Sequence, residues 1–176
     1  MLLLGVVLSL GICAAKPTAA AELESSSVKP WAAVFLDYQH PDEPMLGISV
    51  AVNHYDKHYA RWGYYLAYAK SQQQQLERPY AEQALRELGM LRLGLSYSIS
   101  NDLSVYFGTS MLEESTDYTD GISLYCSECE AQWHNTRDKK WGADVGLRWA
   151  FSQHWALSLG YNSSVNGGIF SFGYRG

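Results

Sequence analysis

The sequence predicts an all-β fold: an eight-stranded antiparallel up-and-down transmembrane β-barrel with a filled polar lumen. Three observations predict it. Eight stretches alternate between bulky apolar residues at one parity and Gly, Ala, Ser or a lone charge at the other. Successive strand side chains point to opposite faces, so each stretch has one greasy face and one small, polar face. The charges within the stretches, Asp37, Arg61, Arg92, Asp144, Arg148 and Arg175, all fall on the small face, and the connections alternate between tight and long.

The strands are expected at 31–39, 45–55, 59–70, 89–100, 103–113, 141–152, 155–164 and 168–175. In the first, Ala32, Val34, Leu36 and Tyr38 oppose Trp31, Ala33, Phe35 and Asp37. The second sets Leu46, Ile48, Val50 and Val52 against Gly47, Ser49, Ala51 and Asn53, and the third sets Trp62, Tyr64, Leu66 and Tyr68 against Arg61, Gly63, Tyr65 and Ala67. In the fourth, Leu91, Leu93, Leu95 and Tyr97 oppose Arg92, Gly94, Ser96 and Ser98; in the fifth, Leu103, Val105, Phe107 and Met111 oppose Ser104, Tyr106, Gly108 and Ser110. Val145, Leu147, Trp149 and Phe151 oppose Asp144, Gly146, Arg148 and Ala150 in the sixth. The last two repeat the pattern, with Trp155, Leu157, Leu159 and Tyr161 in one and Phe170, Phe172 and Tyr174 in the other forming the apolar face.

A soluble barrel would turn its apolar face inward and meet water with the other. Composition argues against this. A soluble exterior carries many charged residues, whereas the second face here is mostly Gly, Ala and Ser, which suit the crowded lumen of an eight-stranded barrel. An Arg turned to lipid near the midplane costs about 2–4 kcal/mol, so the shared parity of the charges marks an interior. Asp37, Arg61, Tyr65, Arg92, Tyr106, Asp144, Arg148 and Arg175 are expected to form a hydrogen-bonded lumen network, since enclosed charges must be paired or solvated. Four Arg against two Asp leaves a surplus for loop carboxylates or water to complete. On the apolar face, Trp62, Tyr97, Trp149, Phe151, Trp155 and Tyr174 cluster near strand ends as an aromatic girdle.

At 176 residues the chain fits one domain. Residues 1–21 read as a signal peptide: an apolar run from Leu2 to Ala15, too short to span a bilayer, then Ala19, Ala20 and Ala21 as a cleavage site. No Lys or Arg precedes the run, and Lys16 follows it. Cys13 raises a lipoprotein alternative, which Ile12 before it disfavours. Residues 22–30 form a periplasmic lead-in and 31–176 the barrel. With no later run of eighteen apolar residues, a helical membrane protein is excluded, and only a closed barrel satisfies every backbone group in hydrocarbon. The net charge of −5 argues against a nucleic-acid partner.

Tight connections fall at 56–58, 101–102 and 153–154, and the others at 40–44, 71–88, 114–140 and 165–167. Short periplasmic turns and longer external loops put the N-terminus in the periplasm. In the second external loop, Pro79 followed by Tyr80-Ala81-Glu82-Gln83-Ala84-Leu85-Arg86-Glu87-Leu88 suggests one or two helical turns, with a mobile polar loop as the alternative. The third loop carries Glu113, Glu114, Asp117, Asp120, Glu128, Glu130, Asp138, Tyr118, Tyr125 and Trp133. Its Cys126 and Cys129 are expected to form a small-loop disulfide in an oxidised envelope. A metal site adding His134 is the alternative, short of a firm zinc pattern; no cofactor is expected.

Together with the closing stretch Gly168-Ile169-Phe170-Ser171-Phe172-Gly173-Tyr174-Arg175-Gly176, this architecture resembles the small eight-stranded outer-membrane barrels of the OmpA/OmpX type over about 31–175. The resemblance implies a monomeric protein of the bacterial outer membrane that anchors, adheres or stabilises the envelope. Its partners would be outer-membrane lipid and lipopolysaccharide, the barrel-assembly machinery and an extracellular ligand. Family members usually end on an aromatic residue, whereas this chain runs two residues past Tyr174. The alternative function is a lipid A-modifying enzyme of the deacylase or palmitoyltransferase type. Gly160-Tyr161-Asn162-Ser163-Ser164 loosely resembles a deacylase segment but holds no His, and a serine without an adjacent base is a weak nucleophile.

Overall fold

The computed structural model describes residues 30–40, 43–55, 61–77, 81–120 and 132–176. Its elements are β1 (Trp31–His40), β2 (Met45–Asn53), β3 (Trp62–Ser71), the short β4 (Gln74–Gln75), β5 (Ala81–Ser98), β6 (Leu103–Asp120), β7 (Trp133–Ala150), β8 (Trp155–Asn162) and β9 (Gly167–Arg175). Every pairing is antiparallel. The order β3-β2-β1-β9-β8-β7-β6-β5 closes on itself because β3 also pairs with β5, Trp62 opposite Tyr97 through Lys70 opposite Gly89. Without β4 the barrel has eight strands and no edge within its wall, the arrangement that lipid requires.

Burial follows the two-residue period. β1 alternates buried and exposed from Trp31 to His40, and β3 does so from Trp62 to Ser71. The bulky residues face out: Leu36 is 68% exposed, Leu46 66%, Leu93 47% and Leu147 50%. Arg92 and Arg148, their neighbours in the chain, are each 3% exposed. A surface of Leu, Val, Ile and aromatic side chains running around the wall is stable against hydrocarbon and not against water, so this belt is the membrane-facing surface.

The expected loops are largely strand. β5 begins at Ala81, so the helical turns expected after Pro79 do not form over 81–88; those residues pair with β6, from Leu85 opposite Asp117 to Leu88 opposite Glu114. β6 runs to Asp120 and β7 starts at Trp133, where 114–140 was expected as loop. The helix propensity of Ala, Glu, Gln and Leu yields here to a continuous backbone ladder on β6. The three strands therefore rise beyond the belt as one sheet, roughly eight residues or about 25 Å past Trp141 along β7. At the turn after β8, Asn166 adopts φ 51°, a left-handed conformation Asn tolerates.

Candidate functional site

The lumen is filled in layers whose depth follows from strand register. Nearest the start of β1 and the end of β9, Trp31, Ala33, Phe35, Ala150 and Ala156 pack together. Above them lies the charged layer. Arg92 is paired with Asp37 and lies 3.5 Å from Asp144 Oδ2, while the Tyr65 hydroxyl donates to Asp144 at 2.7 Å and the Ser49 hydroxyl to Asp37 at 2.9 Å. Arg148 lies against three rings, its guanidinium carbon 4.4 Å from the Tyr106 centroid, 4.6 Å from Tyr65 and 5.8 Å from Phe35. Desolvated cation–π contacts of this kind contribute about 2 kcal/mol.

Glycine makes the room for this layer. Gly94 faces Gly108 across β5 and β6, and a Cβ on either would strike Tyr65. Gly146 faces Gly160 across β7 and β8, and a Cβ on either would strike Tyr106. The two tyrosines then meet edge to face at 5.2 Å.

Two further layers lie toward the outer end. Met45, Ala69, Leu88, Met90 and Leu112 form an apolar septum with Val165 against it. Over the septum, Arg86 donates to Glu43 at 2.7 Å and its Nε lies 2.7 Å from Glu114. Its contact with Glu114 raises the Arg86 guanidinium above its ordinary value, against the opposing effect of burial.

Six of the eight expected network residues are brought together: Asp37, Tyr65, Arg92, Tyr106, Asp144 and Arg148. Arg61 and Arg175 are not among them, and this corrects the expected set. Arg61 precedes β3 and lies over the Tyr55 ring at 5.6 Å, while Arg175 reaches Asp102 at 3.2 Å and covers Trp31 at 4.6 Å near the termini. Parity fixes a residue's face but not its depth. Their displacement removes the surplus of cations: the enclosed layer holds Arg92 and Arg148 against Asp37 and Asp144. The septum and the Glu43–Arg86–Glu114 clamp were missed, because Met45, Leu88 and Leu112 read as ordinary apolar residues and 81–88 as a loop.

The expected girdle residues Trp62, Tyr97, Trp149, Phe151, Trp155 and Tyr174 all stand on the outward face at the end where β1 begins and β9 ends. Trp62 meets Tyr97 at 5.1 Å and Trp155 stacks on Phe172 at 5.0 Å. The opposite boundary, unread in the sequence, is marked by Tyr38, Tyr68, Trp141, Tyr161 and Phe170, which share the outward parity further along the same strands.

Past that boundary the β5–β6–β7 sheet is polar. Glu113 meets Lys139 at 3.5 Å and Arg137 at 3.9 Å, Asn135 is bonded to Asp117, and Tyr118 stacks on His134 at 5.4 Å. β7 is exposed on both faces from Trp133 to Trp141. β8 pairs with β7 only from Asp144 inward and the chain after it follows β7 as far as Gly142, so among the described residues no strand lies along the outer side of 135–140. Cys126, Cys129 and the signal segment lie outside the described residues. The serines of the 160–164 segment are engaged structurally: Ser163 Oγ accepts from the Ala143 amide at 2.8 Å, and Ser164 Oγ donates to Asn162 at 2.6 Å.

No family model matches this sequence, and no curated protein matches it. Solved structures do match in shape. The attachment invasion locus protein Ail of Yersinia pestis, crystallised with the heparin analogue sucrose octasulfate, is 13% identical with a TM-score of 0.52, over 84% of this chain and 96% of Ail. The N-terminal β-barrel domain of Pseudomonas aeruginosa OprF is 11% identical with a TM-score of 0.45, over 83% and 97%. Neisserial surface protein A is 9% identical with a TM-score of 0.37, over 83% and 92%. The chain has the fold of small eight-stranded outer-membrane barrels, and with its lipid-facing belt it is a protein of the bacterial outer membrane.

Proposed function

We propose that this protein is a non-conducting anchor whose working part is the projecting β5–β6–β7 sheet, which meets an extracellular partner at the cell surface. One observation carries the reading. The backbone of 135–140 stands beyond the belt with a strand on one side only, a ready template for an added strand. The lumen filled by side chains supports an anchoring role rather than transport, since aqueous β-channels are built from about sixteen strands. Lys139 and Lys140 along this edge discourage indiscriminate pairing.

Register gives a clean way to remove the sheet. Glu114 lies opposite Asp138, so residues 115–137 are replaced by a two-residue Asn-Gly turn between them. The shortened protein is expected to keep the gel mobility of a folded barrel while cells displaying it lose adherence to host-cell layers. Unchanged adherence contradicts the proposal.

A further inference from the structure

Two cations stand at alternate positions on the open edge of β7. The strand's outward face reads Trp133, Asn135, Arg137, Lys139, Trp141, and both cations and both tryptophans are more than half exposed. Arg137 and Lys139 have one carboxylate between them, Glu113 of β6, at 3.9 and 3.5 Å. Asp117, also on β6, is bonded to Asn135, and Asp138 points to the other face, opposite Glu114. On its outward face the edge strand is therefore cationic, and its counter-charges lie one strand spacing, about 4.8 Å, behind it. The free side of the edge carries none of them.

A strand added along 135–140 sets alternate side chains directly beside this row, where opposite charges attract and like charges repel. Carboxylates across from Arg137 and Lys139 complete pairs that Glu113 fills only in part. They must stand two residues apart, the repeat that puts both on one face. The flanking tryptophans favour apolar or aromatic residues toward the ends of the same segment. A second copy of this chain does not fit. Two copies upright in one membrane bring their β7 edges together running the same way, so Arg137, Lys139 and Lys140 each meet their own counterparts.

We propose that this edge takes an extended acidic segment of an extracellular protein, with carboxylates at alternate positions facing Arg137 and Lys139. The proposal rests on the reading of the projecting sheet as a strand template and adds what that template selects. Backbone hydrogen bonds along 135–140 supply affinity common to any extended chain, and the pair of carboxylates supplies the choice.

The test titrates the full-length protein, in phosphatidylcholine nanodiscs, with three short threonine-rich peptides. One carries two Glu at alternate positions, one the same two Glu four residues apart, and one two Lys at alternate positions. Binding is read by NMR at the amides of 135–140, whose shifts and slowed exchange report an added strand. The alternate-Glu peptide is expected to bind about fivefold tighter than its isomer, whose carboxylates can reach only one edge cation at a time, and the Lys peptide to bind weakest. Arg137→Gln/Lys139→Gln changes exposed side chains outside the belt and is expected to bind the two Glu peptides alike with the same amide response. Equal binding of the Glu isomers by wild type, or an undiminished preference in the double variant, overturns the acidic specificity. Equal protection of the edge amides by all three peptides leaves the strand template standing and overturns this selectivity alone. Protection by none of them overturns the template and the selectivity together.

Discussion

Arg92 holds two carboxylates that β1 and β7 bring from opposite sides of the lumen, and its removal strands both of them in a space without bulk water. Breaking one side of a buried ion pair costs about 3–5 kcal/mol, so Arg92→Met is expected to lower the unfolding free energy in lipid vesicles by that order. A loss below about 1 kcal/mol contradicts the paired layer. The glycine bays give a second prediction. Gly160→Ala drives a methyl into the Tyr106 hydroxyl, and overpacking of this kind costs about 1–3 kcal/mol. Tyr106→Phe removes the atom it strikes, so the double variant is expected to recover part of the loss in the same titration. At this scale the sequence tells faces apart, because a charge at the wrong parity is costly in lipid. It does not tell depth, which is why Arg61 and Arg175 read as lumen residues although they lie at the end where β1 begins and β9 ends.

The strands inside the belt are legible because lipid on one side and a crowded lumen on the other enforce alternation at every position. Beyond the belt that pressure ends. The outer parts of β5, β6 and β7 meet water on their outward face, so 113–120 and 133–140 mix charges and polar residues as loops do, and 81–88 is composed like a helix. What extends them is the ladder from strand to strand, which no local pattern announces. β6 has a partner on both sides along its length, whereas β7 has one over 135–140. Amide hydrogen exchange in nanodiscs is therefore expected to show faster exchange at 135–140 of β7 than at 113–117 of β6, and equal protection contradicts the open edge.

Closure, belt, filled lumen and projecting sheet are parts of one wall, and the proposed anchoring role rests on that wall holding no open channel. Eight strands leave room for side chains and little else, and here Tyr65, Tyr106, the paired charges and the Met45–Met90 septum occupy that room. Planar-bilayer recordings are expected to show no steady, large conductance. All of this depends on which face meets lipid. The direct measurement is NMR of the protein in nanodiscs with paramagnetic lipid tags. The methyl groups of Leu93 and Leu147 are expected to be strongly relaxed by the tagged acyl chains, while the guanidinium groups of Arg92 and Arg148 are untouched and slow to exchange with water. Leucine methyls blind to lipid, with both guanidinium groups exchanging freely in bulk solvent, would contradict the account.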